Sequence, residues 1–153
     1  MVADGIESLL VKISNLLPLV GILLFFSACS TKHRETPLLT EPKLILFSTK
    51  NFRFYDAGFI KRYVDRLELE IFSAGTLVLH LEIFPDTICL NGECASKKRV
   101  VQELFGQEYH QEILDDILLG RDIAGYSVTY ERSADRILFK DEKNRVLLLI
   151  KRL

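Results

Sequence analysis

Apolar and polar residues alternate with a period of two from Arg66 to Cys94, RLELEIFSAGTLVLHLEIFPDTICLNGEC, and this pattern predicts an antiparallel meander. Leu67, Leu69 and Ile71 fall on one face, and Leu77, Leu79, Leu81 and Ile83 continue it, while Arg66, Glu68 and Glu70 point the other way. Reading Ser73, Ala74 and Gly75 as a three-residue loop pairs Ile71 with Leu77 and Leu69 with Leu79. Pro85-Asp86 predicts a looser connection, because proline cannot take the positive φ of a primed hairpin turn. Asn91-Gly92 is the preferred type I′ pair and sets Cys89 opposite Cys94.

Strand-like runs precede the meander at Lys43–Phe47, Phe52–Tyr55 and Phe59–Tyr63. After it the period changes. Ser96 is a candidate N-cap for a helix with Val100, Val101, Leu104 and Phe105 on one stripe and Gly106 as its stop. A second short helix carries Ile113, Leu114, Ile117 and Leu118, with Gly120 at the C′ position. Asp115 and Asp116 are adjacent on it, point about 100° apart, and read as a solvated face. His110 lacks the i, i+4 histidine partner of a zinc protease and reads as a surface residue. His80 falls on the polar face of its strand and reads as structural. Strands return at Tyr126–Tyr130, Arg136–Phe139 and Val146–Leu153, the last apolar on both faces and expected to be covered on both.

A chain of 153 residues, 48% hydrophobic and 27% charged with net charge −1, fits one globular domain plus an N-terminal extension. The neutral balance argues against a nucleic-acid partner. No Ser/His/Asp or Cys/His signature points to an enzyme, and the residues call for neither a metal nor a cofactor.

The extension holds an apolar run, Ile13–Phe26, interrupted by Asn15 and Pro18, too short to span a bilayer comfortably and suited to the core of a signal peptide. A plain anchor or a buried helix is the other reading. Asp4 and Glu7 precede Lys12 where positive charge is usual, which predicts a translation start near Val11. The run ends in Phe26-Ser27-Ala28-Cys29, which resembles the bacterial lipobox, with Phe26 where leucine is usual. That resemblance implies a signal peptide over 1–28 and a lipidated Cys29 as the mature N-terminus. Ser30 after it favours the outer membrane. Residues 29–42, polar with two prolines, read as the lipidated cysteine and its tether, and residues 43–153 as the domain. Two cysteines are left over in an oxidising periplasm, predicting a Cys89–Cys94 disulfide.

From about Asp65 to Leu153 the order of parts resembles the outer-membrane lipoprotein receptor LolB and its carrier relative LolA. The stretches RLELEIFSAGTLVLHLEI and VVQELFGQEYHQEILDDILLGRDI, then the closing strands, carry the likeness. It implies an α+β, mainly β fold: a curved antiparallel sheet forming an unclosed half-barrel under a helical lid. The implied acyl-chain lining is Leu67, Leu69, Ile71, Leu77, Leu79, Leu81 and Ile83 from the meander with Val101, Leu104, Phe105, Leu114, Ile117 and Leu118 from the lid. The implied membrane-facing loop is at Ala74 and Gly75, with Ala74 where the receptor has leucine. The expected partners are the membrane through Cys29, acyl chains or lipoprotein cargo, and a periplasmic carrier. The alternative is a lipid-tethered structural or interaction protein with the same fold, a filled core and no ligand. An apolar cavity favours the first reading; a packed interior with exposed apolar side chains favours the second.

Overall fold

The computed structural model describes residues 35–153; the apolar segment, Cys29 and the first part of the tether lie outside them. Nine strands form one antiparallel sheet: β1 Leu39–Ser48, β2 Arg53–Arg62, β3 Leu67–Ser73, β4 Thr76–Ile83, β5 Thr87–Leu90, β6 Glu93–Ser96, β7 Thr129–Arg132, β8 Arg136–Asp141 and β9 Val146–Arg152. Between β6 and β7 come two short helices, α1 Lys97–Leu104 and α2 Ile113–Leu119. The order across the sheet is β6-β5-β4-β3-β2-β1-β9-β8-β7, so among the described residues β6 and β7 are unpaired edges and the sheet is open.

The sheet must curve. β5 and β8 are six strand spacings apart, about 29 Å if flat. Yet Ile88 of β5 and Phe139 of β8 belong to one buried cluster. Helix α1, about 12 Å long, packs against β5 and β6, while the Phe105 ring at its end lies 5.6 Å from that of Phe139. Gly58 permits close packing inside this curve, since a Cβ there would stand 2.1 Å from the Glu70 carbonyl oxygen and 2.8 Å from Ile45.

The Asn91-Gly92 hairpin forms as its sequence predicts, both residues at positive φ, with Leu90 opposite Glu93 and Cys89 opposite Cys94. The Asn91 side chain also accepts the His80 N–H at 2.8 Å, extending the β4–β5 pairing. The β3–β4 register differs from the expectation. The turn is the two residues Ala74 and Gly75, both at positive φ, closed by Ser73 opposite Thr76. An irregularity beside Ile71/Phe72 then absorbs the odd residue, so Ile71 pairs with Leu79, Leu69 with Leu81 and Phe72 with Leu77. A slip of one position exchanges faces. Leu77 is therefore removed from the predicted lining and stands 44% exposed beside Phe72.

Three other expectations change. β1 begins at Leu39, inside the stretch read as tether, because the Leu38 N–H already donates to the Arg62 carbonyl at 2.7 Å. β9 is buried only through Val146, Leu148 and Ile150; Leu147 and Leu149 on its other face are half-buried. Asp115 and Asp116 are not a solvated face. Asp115 takes the buried Lys97 ammonium at 2.8–2.9 Å, joining α1 to α2, and Asp116 takes His110 at 2.8 Å and Arg121 at 3.1 Å. Their divergence on the helix is what lets them serve different partners.

Candidate functional site

Eleven of the thirteen predicted lining residues converge on the inner face of the sheet, all but Leu77 and the half-buried Leu104. They pack against one another and against Ile45, Phe47, Ile60, Phe139, Leu148 and Ile150. A side chain facing a water-sized chamber keeps accessible surface on that side. Leu69, Ile71, Val101, Phe105, Leu114 and Ile117 have none, so these residues fill the interior themselves.

One end of this core, where β8 turns into β9, is tied shut. Tyr109, in the link between the helices, donates its hydroxyl to Asp141 at 2.6 Å, and Asn144 adds its amide at 2.7 Å and its backbone N–H at 3.1 Å. Asp141 is itself buried. Burial opposes its charge, but the hydrogen bonds from Tyr109 and Asn144 outweigh it and hold the carboxyl below its ordinary range. Burial, reinforced by the same carboxylate, holds the Tyr109 phenol well above its ordinary range. The Tyr109 ring packs among Phe105, Tyr126 and Phe139.

The opposite end keeps an opening of about 130 Å³ between β1, β2, β8, β9 and the end of α2. Its floor is Ile60, Leu118 and Ile150, and around it stand the cations of Lys43, Arg62 and Arg152 with the carboxylates of Glu41 and Asp135. Lys43 and Arg62 share one of these, Glu41, at 3.5 and 3.7 Å. The Arg62 Nε is buried and meets no acceptor among the described residues.

A second opening, an apolar groove of about 370 Å³, runs beside the disulfide over Phe52, Leu90, Val100 and Leu104. Cys89 and Cys94 are bonded, their Cα atoms 3.9 Å apart.

The outer face of the meander carries charge. Glu68, nearly buried, accepts from Arg66 at 2.9 Å, and Lys61 pairs with Glu70 at 2.7 Å. Glu68, His80 and Glu82 bring one donor atom each within 4.8 Å of one another. Arg66 also reaches to 3.8 Å from Glu82, so a guanidinium supplies the positive charge these carboxylates require. Burial and the Glu68 carboxylate raise the Tyr63 phenol above its ordinary range. Next to this network the same face turns apolar: the rings of Phe59 and Phe72 meet at 5.9 Å, Leu77 faces Phe72, and Tyr55 is 56% exposed. The tip at Ala74 and Gly75 is exposed at the end of that hairpin.

His110 is a surface residue as expected, with a hydrogen-bond partner on each ring nitrogen, Asp116 at 2.8 Å and the Tyr126 hydroxyl at 2.6 Å. Neither end of the core was marked in the pattern of the sequence. Asp141 and Tyr109 are 32 residues apart and lie outside the periodic runs. The one local sign was the turn chemistry of Asp141–Asn144, where an aspartate accepts the N–H three residues on. No family model and no curated protein matches the chain.

Proposed function

We propose that the chain is a lipid-anchored outer-membrane lipoprotein with a LolA/LolB-like domain that works through its surface, with a filled core, and not by housing an acyl chain. The observation that carries this reading is the absence of accessible surface on the inner-face residues that a chamber would expose, Leu69, Ile71, Phe105, Leu114 and Ile117. The open nine-stranded sheet with its two helices on the inner face supports the LolA/LolB-like kinship. The exposed group of Tyr55, Phe59 and Leu77 on the outer face supports a role in contact with a partner. The lipobox-like Phe26–Cys29 supports the anchor.

The test is photo-crosslinking with a photoreactive palmitate in membranes carrying the full chain, followed by mapping of the adducts. The proposal expects no adduct on Leu69, Leu79, Leu114 or Ile117. Adducts on those side chains would restore the acyl-carrier reading. Labelling with palmitate at Cys29 tests the anchor separately; its failure in a cell that lipidates a control lipoprotein would remove that part.

A further inference from the structure

We infer that the opening walled by Lys43, Arg62 and Arg152 is a binding site for a single phosphate-class oxyanion. Four observations converge on it. The chain as a whole is formally −1, yet three cations, Lys43, Arg62 and Arg152, meet two carboxylates, Glu41 and Asp135, at this one opening, so the local field favours an anion. Two of the cations, Lys43 and Arg62, divide a single carboxylate at 3.5 and 3.7 Å, distances that leave each ion with donors to spare. The Arg62 Nε–H is buried without an acceptor among the described residues, and such a donor costs free energy until an acceptor reaches it. At about 130 Å³ the space is well below that of pockets that enclose drug-sized ligands and suits a headgroup-sized anion.

The backbone explains why these groups are held in place. Arg62 and Ile60 lie two apart on β2 and so share the inner face, and Lys43 lies directly opposite Arg152 across the β1–β9 ladder. Arg152 is steadied by Asp135 at 3.2 Å. A guanidinium whose Nε and terminal nitrogens point the same way can grip two oxygens of a phosphate, with Lys43 as a point charge beside it. Ile60, Leu118 and Ile150 beneath them lower the local dielectric and strengthen each contact.

The oxyanion has two sources, a membrane phospholipid headgroup or a soluble phosphate compound. The site lies where the chain enters the domain, since Leu39 pairs with Arg62. Cys29 is nine residues before Leu38, a reach of about 30 Å. A headgroup source rests on the lipid-anchor reading; the oxyanion site itself does not.

The test uses the full chain in maltoside micelles, which contain no phosphate, titrated calorimetrically with inorganic phosphate. The expected result is saturation at one phosphate per chain, weakened about tenfold in Arg62→Gln and in Lys43→Gln, each with an unchanged melting temperature. Competition by added phosphatidylglycerol identifies a headgroup site; saturation by phosphate without such competition identifies a soluble ligand, and both support the proposal. Heat that fails to saturate by about 10 mM phosphate, or the same affinity in both folded variants as in the parent, overturns it. A photo-adduct inside the core would end the surface reading above without touching this titration, so the two fail separately.

Discussion

Where β8 turns into β9, three hydrogen bonds on Asp141 and a cluster of four aromatic rings bind the helices to the sheet; at the other end of the same core, cations stand around an opening with a donor that no described residue meets. Both ends are finished by polar groups, since strand ends and turns cannot bury their backbone. The difference lies in satisfaction. At the Asp141 end every partner comes from the chain itself, which produces rigidity. At the Arg62 end the chain supplies more positive charge than it neutralises, which leaves work for another molecule. A folded domain thus separates its stability from its availability to bind.

The tied end depends most on Phe105, which is buried between the helices and β8. Phe105→Ala should cost about 3–5 kcal/mol by urea unfolding. A loss under about 1 kcal/mol would mean that the aromatic end is not tightly packed. Tyr109→Phe should cost about 1.5–3 kcal/mol, because it removes a hydrogen bond to a buried carboxylate.

The same pair sets the pH limits of stability. The Asp141 carboxyl is depressed in the folded chain, so its contribution is present above the unfolded value near 3.9 and fades as pH falls through the lower folded value. The Tyr109 phenol is raised, so its contribution is full below about 10 and is lost as pH rises, when the unfolded phenol ionises first. Unfolding midpoints measured across pH should show an acid limb that flattens in Asp141→Asn and an alkaline limb that flattens in Tyr109→Phe. Unchanged limbs in both variants would contradict the assignment.

The smallest effect is expected at the disulfide, which closes a five-residue separation. Removing both cysteines should lower stability by no more than about 2 kcal/mol, since the hairpin is already set by Asn91-Gly92. A collapse of the fold on reduction would show that the bond does more than clip the turn.

Much of the fold was legible because its signals are local. Alternation placed Leu67, Leu69, Ile71, Leu79, Leu81 and Ile83 on one face, and Asn91-Gly92 fixed the register that joins Cys89 to Cys94. Gly120 ends α2 in the left-handed conformation, as its position after the apolar stripe implied. The reading failed where a backbone irregularity competes with the period: alternation continues through Leu77, but a two-residue turn and the shift beside Phe72 put that residue outside. The two ends of the core were not legible. Tyr109 meets Asp141 only after the helices have settled on the sheet, and Arg62 shares Glu41 with Lys43 through a β1–β2 register that no spacing in the sequence encodes.

Native-state hydrogen exchange of the full chain reads out whether the interior is closed and held by its own helices. Amides of α2 from Ile117 to Leu119 should exchange with the same free energy as those of Leu148 and Ile150 in β9, because α2 leaves the sheet only when the whole domain unfolds. If the α2 amides exchange orders of magnitude faster while β9 stays protected, the helices open as a lid, and the filled-core account is wrong.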